Sequence, residues 1–147
     1  MDNVLFGCKD TTLHIARFFH NLELDINLVT ISPEVASANN VAGYEDLTNH
    51  KTLFSSIYVT KNYSLKDKED TEAIKKLKNI DLAFCIGWQR LIPKEILDSF
   101  SIGVFGMHGS SRNLPYGKGR SPMNWALIEG QKWFHTNLFK HQSGIDN

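Results

Sequence analysis

Apolar residues fall into six short runs, at 4–8, 26–31, 57–59, 81–87, 102–107 and 133–140, separated by polar stretches with helical spacing or turn-forming residues. The first run opens into Lys9-Asp10-Thr11, where Asp10 or Thr11 can cap a helix. Its apolar positions Leu13, Ile15, Ala16, Phe18, Phe19 and Leu22 make one broad stripe. INLVTI over 26–31 reads as a second strand, ended by Ser32-Pro33. A strand, a helix and a strand within about thirty residues predict parallel pairing through a crossover.

From 34 to 54 the periodicity weakens, and a short helix is expected only around Tyr44 to Asn49. The charged stretch LKDKEDTEAIKKLKNI keeps Ala73, Ile74, Leu77 and Ile80 at helical spacing, with acids early and lysines late, as a helix dipole favours. Its charges read as a solvated face. The fourth run, 81–87, lacks alternation and reads as the most buried strand. Pro93 then starts a short helix. The fifth run leaves its strand through His108 into a loop of Gly, Ser, Asn and Pro. Ser121-Pro122 suits an N-cap and first helical position, and Gly130 suits the stop. The fold predicted is α/β: a doubly wound, mostly parallel, Rossmann-like sheet with helices on both faces, and a switch point near strands one and four.

Composition narrows the partners. The 147 residues carry 16 Lys plus Arg against 16 Asp plus Glu, so no global basic field recruits nucleic acid or an anionic membrane. No run approaches the roughly 18 apolar residues of a spanning helix, and MDNVLFGCKD lacks the form of a signal peptide. Cys8 and Cys85 end apolar runs and read as buried thiols in a reducing compartment. A cytoplasmic location is expected.

Candidate chemistry concentrates between 102 and 130. His14, His20 and His50 read as structural. His108 differs, because it follows a buried run and has Gly106, Gly109 and Ser110 as small neighbours that let another molecule approach. It is either a satisfied structural histidine or a functional one. Arg112, Lys118 and Arg120 are either solvated loop charges or an anion site reinforced by the helix that starts at Pro122. GKGRS lacks P-loop spacing, and no GxGxxG follows the first strand, which argues against a nicotinamide dinucleotide. CxxC, HExxH and HxxxH are absent, and His135 and His141 have no ligand-spaced neighbours, so no metal is expected. Asp146 can fold back toward His108, although a penultimate residue is by default a solvated tail.

Three ordered motifs, GWQRLIPKEILD, VFGMHGSSRNLPYGKGRSPMNWALIEG and TNLFKHQSGIDN, resemble the catalytic domain of the 10-formyltetrahydrofolate-dependent formyltransferases. The match is strongest over 87–147. The resemblance implies a formyltransferase catalytic domain over 1–147 that stops short of the family's usual C-terminal end. His108 matches the family histidine, Ser110 its serine, Leu114 and Pro115 its Leu-Pro, and Asp146 its catalytic aspartate. The family asparagine falls on Gly106, and the loop after His108 is longer than usual.

The implied reaction moves a formyl group from a folate nitrogen to an amine through a tetrahedral oxyanion, which calls for hydrogen-bond donors and a base. By resemblance, His108 donates to the oxyanion and Asp146 holds His108 and helps take the amine proton. The missing carboxamide is expected to be replaced by a backbone N–H of residues 106–109, by Asn113 or by Asn124, or else to leave a slow or inactive domain that only binds folate or nucleotide. The pterin is expected against backbone groups of Gln89, Arg90, Leu91 and Ile92. Residues 142–145, with Gly144 and Ile145, close its other side, and Trp88 serves as apolar wall or as core. The favoured acceptor is an amino sugar on a nucleotide diphosphate, its phosphates met by Lys118 and Arg120, with Ser110, Asn113 and Asn124 beside them. Zero net charge argues against transfer RNA without excluding methionyl-tRNA or another amine.

Overall fold

The computed structural model describes residues 2–77 and 80–143. Among these, six strands form one sheet in the order β3-β2-β1-β4-β5-β6. In chain order these are β1 (Asp2–Phe6), β2 (Ile26–Ile31), β3 (Ser56–Thr60), β4 (Ile80–Cys85), β5 (Gly103–Ser110) and β6 (His135–Lys140). All neighbours are parallel except β5 and β6. The order reverses between β1 and β4, where the hydrophobic pattern puts the switch point.

The helices α1 (Asp10–Asn21), α2 (Pro33–Ala38), α3 (Lys68–Lys75), α4 (Lys94–Leu97) and α5 (Pro122–Ile128) complete the domain. Leu5, Ile26 and Leu28 face Leu13 and Ala16 of α1 on one side of the sheet. Val4, Phe6, Val29, Ile31, Ala83, Cys85 and Val104 face α3 and α4 on the other, through Ile74, Ile96 and Leu97. Both faces are therefore covered, as a central parallel sheet requires.

The switch point is closely packed. Thr12 Oγ1 donates to the Ile86 carbonyl at 2.7 Å and accepts from the Lys9 N–H at 3.2 Å. Lys9, not Asp10 or Thr11, is the residue that precedes the first turn of α1. Gly87 adopts φ +79, and a Cβ there would stand 2.3 Å from Thr12 Oγ1, so no side chain fits this exit from β4.

Elsewhere the structure departs from the sequence reading at instructive points. Ser32-Pro33 ends β2 and also starts α2, with Ser32 Oγ accepting from the Val35 N–H at 3.3 Å. The helix expected around residues 44–49 is a 3₁₀ segment at Leu47–Leu53, begun by Asp46. Ser121 does not cap α5 with its side chain; it takes φ 54 instead. The charged stretch is also not wholly solvated. Asp70 is fully buried, and its carboxyl group accepts from Tyr58 Oη at 2.9 Å and from the Lys61 N–H at 2.9 and 3.2 Å. It ties the end of β3 to α3. Among the described residues, no helix is long and apolar enough to cross a membrane.

Replacing Asp70 with Ala removes the acceptor of the Tyr58 hydroxyl and of the Lys61 N–H. The loss expected is on the order of 3 kcal/mol in a denaturant titration. A midpoint unchanged from wild type would mean that this carboxyl group does not hold the β3–α3 turn.

Candidate active site

β4 ends where Cys85 pairs with Gly106, whereas β5 continues to Ser110, held from Met107 onward by β6 alone. His108 is therefore not the start of a loop. It sits inside a strand, paired with Asn137, at the carboxyl rim of the sheet. Strand alternation puts Val104, Gly106, His108 and Ser110 on the face that packs against α3 and α4.

The backbone donors of this stretch are partly committed. His141 N–H donates to the Val104 carbonyl at 2.8 Å, which fixes the phase of the antiparallel ladder. Alternation then turns the N–H groups of Gly106 and His108 toward β6. Gly109 directs its N–H to the side that β4 has vacated. The segment expected to offer loop amides is thus a strand with one outward amide beyond His108.

A loop folds over the histidine. His108 Nε2 lies 3.0 Å from the Gly117 carbonyl oxygen. A carbonyl only accepts, so Nε2 carries the proton and donates. Gly117 has φ +73, and a Cβ there would lie 1.9 Å from Ser110 Oγ. Ser110 is buried, and its hydroxyl accepts from the Arg112 N–H at 3.1 Å. Ser110 thus shapes the loop that carries Arg112, Lys118 and Arg120. Those three cations, Trp125 and Glu129 line a cavity of about 250 Å³. Glu129 sets one acid among those cations. Asn113 and Asn124 are exposed, and neither contributes to the lining.

The second predicted cluster is more dispersed. Trp88 is buried, with its ring edge-on to Phe6 and Tyr63 at 6.2 and 4.8 Å. Gln89 donates its backbone N–H to Tyr63 Oη at 2.9 Å, and the Arg90 guanidinium lies 5.4 Å from the Tyr63 ring centre. Leu91 is exposed and Ile92 buried. Tyr63, which no periodicity singled out, is therefore the post on which residues 88–90 are hung. Burial pushes its phenol up, so it keeps its proton. Gln142 and Ser143 line a separate cavity of about 610 Å³ with Leu97, Phe100 and Val104 as apolar walls and Asp98 and Lys140 as charged ones. Residues 88–92 do not line it. Gly144, Ile145 and Asp146 lie outside the described residues.

The thiols are poor nucleophiles. Burial pushes Cys85 up to about 12, and burial raises Cys8 against the opposing effects of Tyr63 and Lys9.

The sequence profile of the formyl transferase family matches residues 14–147, and the chain belongs to that family. It is similar to the methionyl-tRNA formyltransferase of Clostridium perfringens (strain SM101 / Type A), 36% identical over 84 residues, which is 56% of this chain and 26% of that protein. The bifunctional polymyxin resistance protein ArnA of Wigglesworthia glossinidia brevipalpis is 31% identical over 114 residues, 70% of this chain and 17% of that protein. The chain spans about a quarter or less of the length of these relatives. Among solved structures, phosphoribosylglycinamide formyltransferase from Bacillus halodurans has a TM-score of 0.70 at 18% identity, covering 100% of this chain and 75% of that one. PseJ from Anoxybacillus kamchatkensis was solved in complex with UDP-4,6-dideoxy-4-formamido-L-AltNAc and tetrahydrofolate. It has a TM-score of 0.55 at 18% identity, covering 99% of this chain and 55% of that one. At such identities the structural likeness concerns the fold.

Gly117→Ala should destabilise the chain by about 1–2 kcal/mol through backbone conformation alone, before the collision with Ser110 is counted. The His108 Nε2 proton should then exchange faster with water; wild-type exchange would separate the loop from the histidine. The second expectation concerns His141, whose imidazole burial holds below its usual 6.5. Below that value the unfolded chain takes a proton that the folded chain resists, so stability falls as pH drops through 6.5 toward the folded-state pKa. His141→Phe should flatten this part of the stability profile, and an undiminished slope would assign it to other groups.

Proposed function

We propose that this member of the formyl transferase family moves a formyl group from 10-formyltetrahydrofolate to a primary amine, with an amino sugar on a nucleotide diphosphate as the acceptor class. The observation that carries the reading is His108, whose protonated Nε2 stands at the sheet's carboxyl rim beside a basic cavity. The match of the family profile supports the formyl chemistry. PseJ, solved with a UDP-sugar product and tetrahydrofolate, supports the donor and the acceptor class.

The cavity beside α4 suits a flat, polar-edged ring system: Leu97, Phe100 and Val104 supply apolar walls, and Asp98, Lys140 and Gln142 supply polar contacts at the rim. The folate supplies the electrophilic carbonyl carbon. His108 directs its Nε2–H at the oxygen on which negative charge develops. For this the Gly117 carbonyl must give up that proton, so the 111–120 loop withdraws or shifts when substrate arrives. Lys118 and Arg120, on the same loop, would engage the acceptor's phosphates and draw the loop with them. Asp146 takes the role of proton acceptor from the amine. Gln89, Arg90, Leu91 and Ile92, braced by Tyr63, do not line the cavity beside α4, so their part would be limited to the donor beyond the ring held there.

Methionyl-tRNA is the second reading, favoured by the Clostridium relative's identity. A transfer RNA needs an extended basic surface, and here the chain's net charge is zero.

The test is a panel of acceptors, a UDP-amino sugar, methionyl-tRNA and glycinamide ribonucleotide, assayed for formyl transfer. The UDP-amino sugar should be preferred. Lys118→Ala combined with Arg120→Ala should raise its KM about tenfold, as expected for lost charge-assisted phosphate contacts. His108→Ala should lower kcat by on the order of 10²–10³. Turnover of that variant at the wild-type rate would remove His108 from the chemistry.

A further inference from the structure

His141 follows directly on β6, and its ring packs on Phe139 with centroids 4.6 Å apart. From there it lies over Gly106: a Cβ on residue 106 would stand 2.4 Å from His141 Nε2 and 3.3 Å from Cδ2. The imidazole thus fills the volume of the side chain that Gly106 lacks, and only glycine admits it. Nε2 is shut away from water and has no hydrogen-bond partner among the described residues. A buried, unpaired polar atom is costly and calls for a reason.

We propose that His141 is a second hydrogen-bond donor to the carbonyl oxygen of the formyl group, acting beside His108. The proposal rests on the reading of His108 given above. Gly106 and His108 are two residues apart on one strand face, roughly 7 Å along the chain, so groups over the two positions can converge on one oxygen. Desolvation keeps the His141 ring neutral, with one proton to offer and no charge to be compensated. Among the other candidates, the N–H groups of Gly106 and His108 turn into the β6 ladder and Asn113 and Asn124 are exposed, which leaves the Gly109 N–H as the competing donor. His141 also lines the cavity beside α4, next to Lys140 and across from Asp98. Turning the ring about its Cβ–Cγ bond carries Nε2 away from Gly106 toward an incoming carbonyl. No bond is made or broken at His141; it lends a proton to a hydrogen bond and keeps it.

The deciding experiment combines two readouts on the full chain. Imidazole ¹⁵N NMR should find His141 neutral at pH 7 with the proton on Nε2. That resonance should move when a hydrolytically stable 10-formyl folate analogue is added. In formyl transfer, His141→Phe keeps the ring and removes the nitrogens, and should lower kcat by on the order of 10²-fold with KM little changed. Gly106→Asn should impair the protein, because the new side chain collides with His141. Gly106→Asn with His141→Ala should recover at least tenfold over His141→Phe, since a carboxamide donor then occupies the vacated space. The proposal is overturned by an Nε2 without a proton, by a resonance indifferent to the analogue, or by His141→Phe at the wild-type kcat while His108→Ala is inactive. Wild-type turnover by His108→Ala would instead remove the reading on which the proposal stands.

Discussion

The arrangement depends on β5 running four residues past the end of β4. From Met107 to Ser110 only β6 is there to satisfy the backbone, and it does so antiparallel, in register from Phe105 with Lys140 to Ser110 with His135. A strand end with one paired edge is held only as firmly as that pairing. The pairing turns a histidine that would otherwise stand in a flexible connection into one with a fixed direction. The Asn137 side chain adds a contact, donating through Nδ2 to the His108 carbonyl at 3.4 Å. The tautomer of His108, the loop it meets and the neighbours it faces all follow from that overhang.

The other side of the rim is fixed by different means. Thr12, Gly87 and Tyr63 pack the exits of β1 and β4 so closely that residues 86–90 have little freedom. The site therefore has a closely packed wall at the switch point and, opposite it, the 111–120 loop, whose Gly117 carbonyl accepts from His108 Nε2. A closely packed wall suits the recognition of a planar cofactor. The loop that must part from His108 to free its donor carries the cations suited to an anionic acceptor. On the proposed reading, acceptor binding and exposure of the Nε2 proton would be mechanically one event, a common way to keep a reactive group shut until substrate is present.

Much of the fold is legible in the sequence, and the exceptions have physical causes. INLVTI is readable to the residue because all six positions are buried, and four branched apolar residues interrupted only by Asn27 and Thr30 suit a strand covered on both faces. The switch point is readable because one strand–helix–strand unit already fixes the direction of winding. Asp70 is not readable, since burial of one acid in a charged run depends on amides supplied by a neighbouring turn. Neither is α2, because Ser-Pro ends a strand and starts a helix with the same two residues. His108 stands out in the sequence as the candidate, but its setting does not: glycine, serine and histidine after an apolar run look like a loop until the antiparallel partner is known. His141, which the sequence analysis only sets aside as a metal ligand, gains meaning from the emptiness at 106.

The glycines that disguise β5 are also what lock it. A Cβ on Gly103 would meet the Lys140 side chain at 2.3 Å, one on Gly106 would meet His141 at 2.4 Å, and one on Gly109 would meet the Phe134 ring at 2.6 Å. Strand parity sends Gly106 to one face and Gly103 and Gly109 to the other, so β6 and its flanking residues grip β5 from both sides. Glycine inside a strand normally weakens it, through lost packing and added backbone freedom. Here each missing side chain is replaced by one reaching over from β6 or its flanks, a cross-strand exchange that restores contact area and pins register. Register in turn decides which face His108 occupies, since a slip of one residue would send it to the α1 side of the sheet. The same three absences that make the stretch look irregular therefore fix the imidazole on the face where the cavities lie.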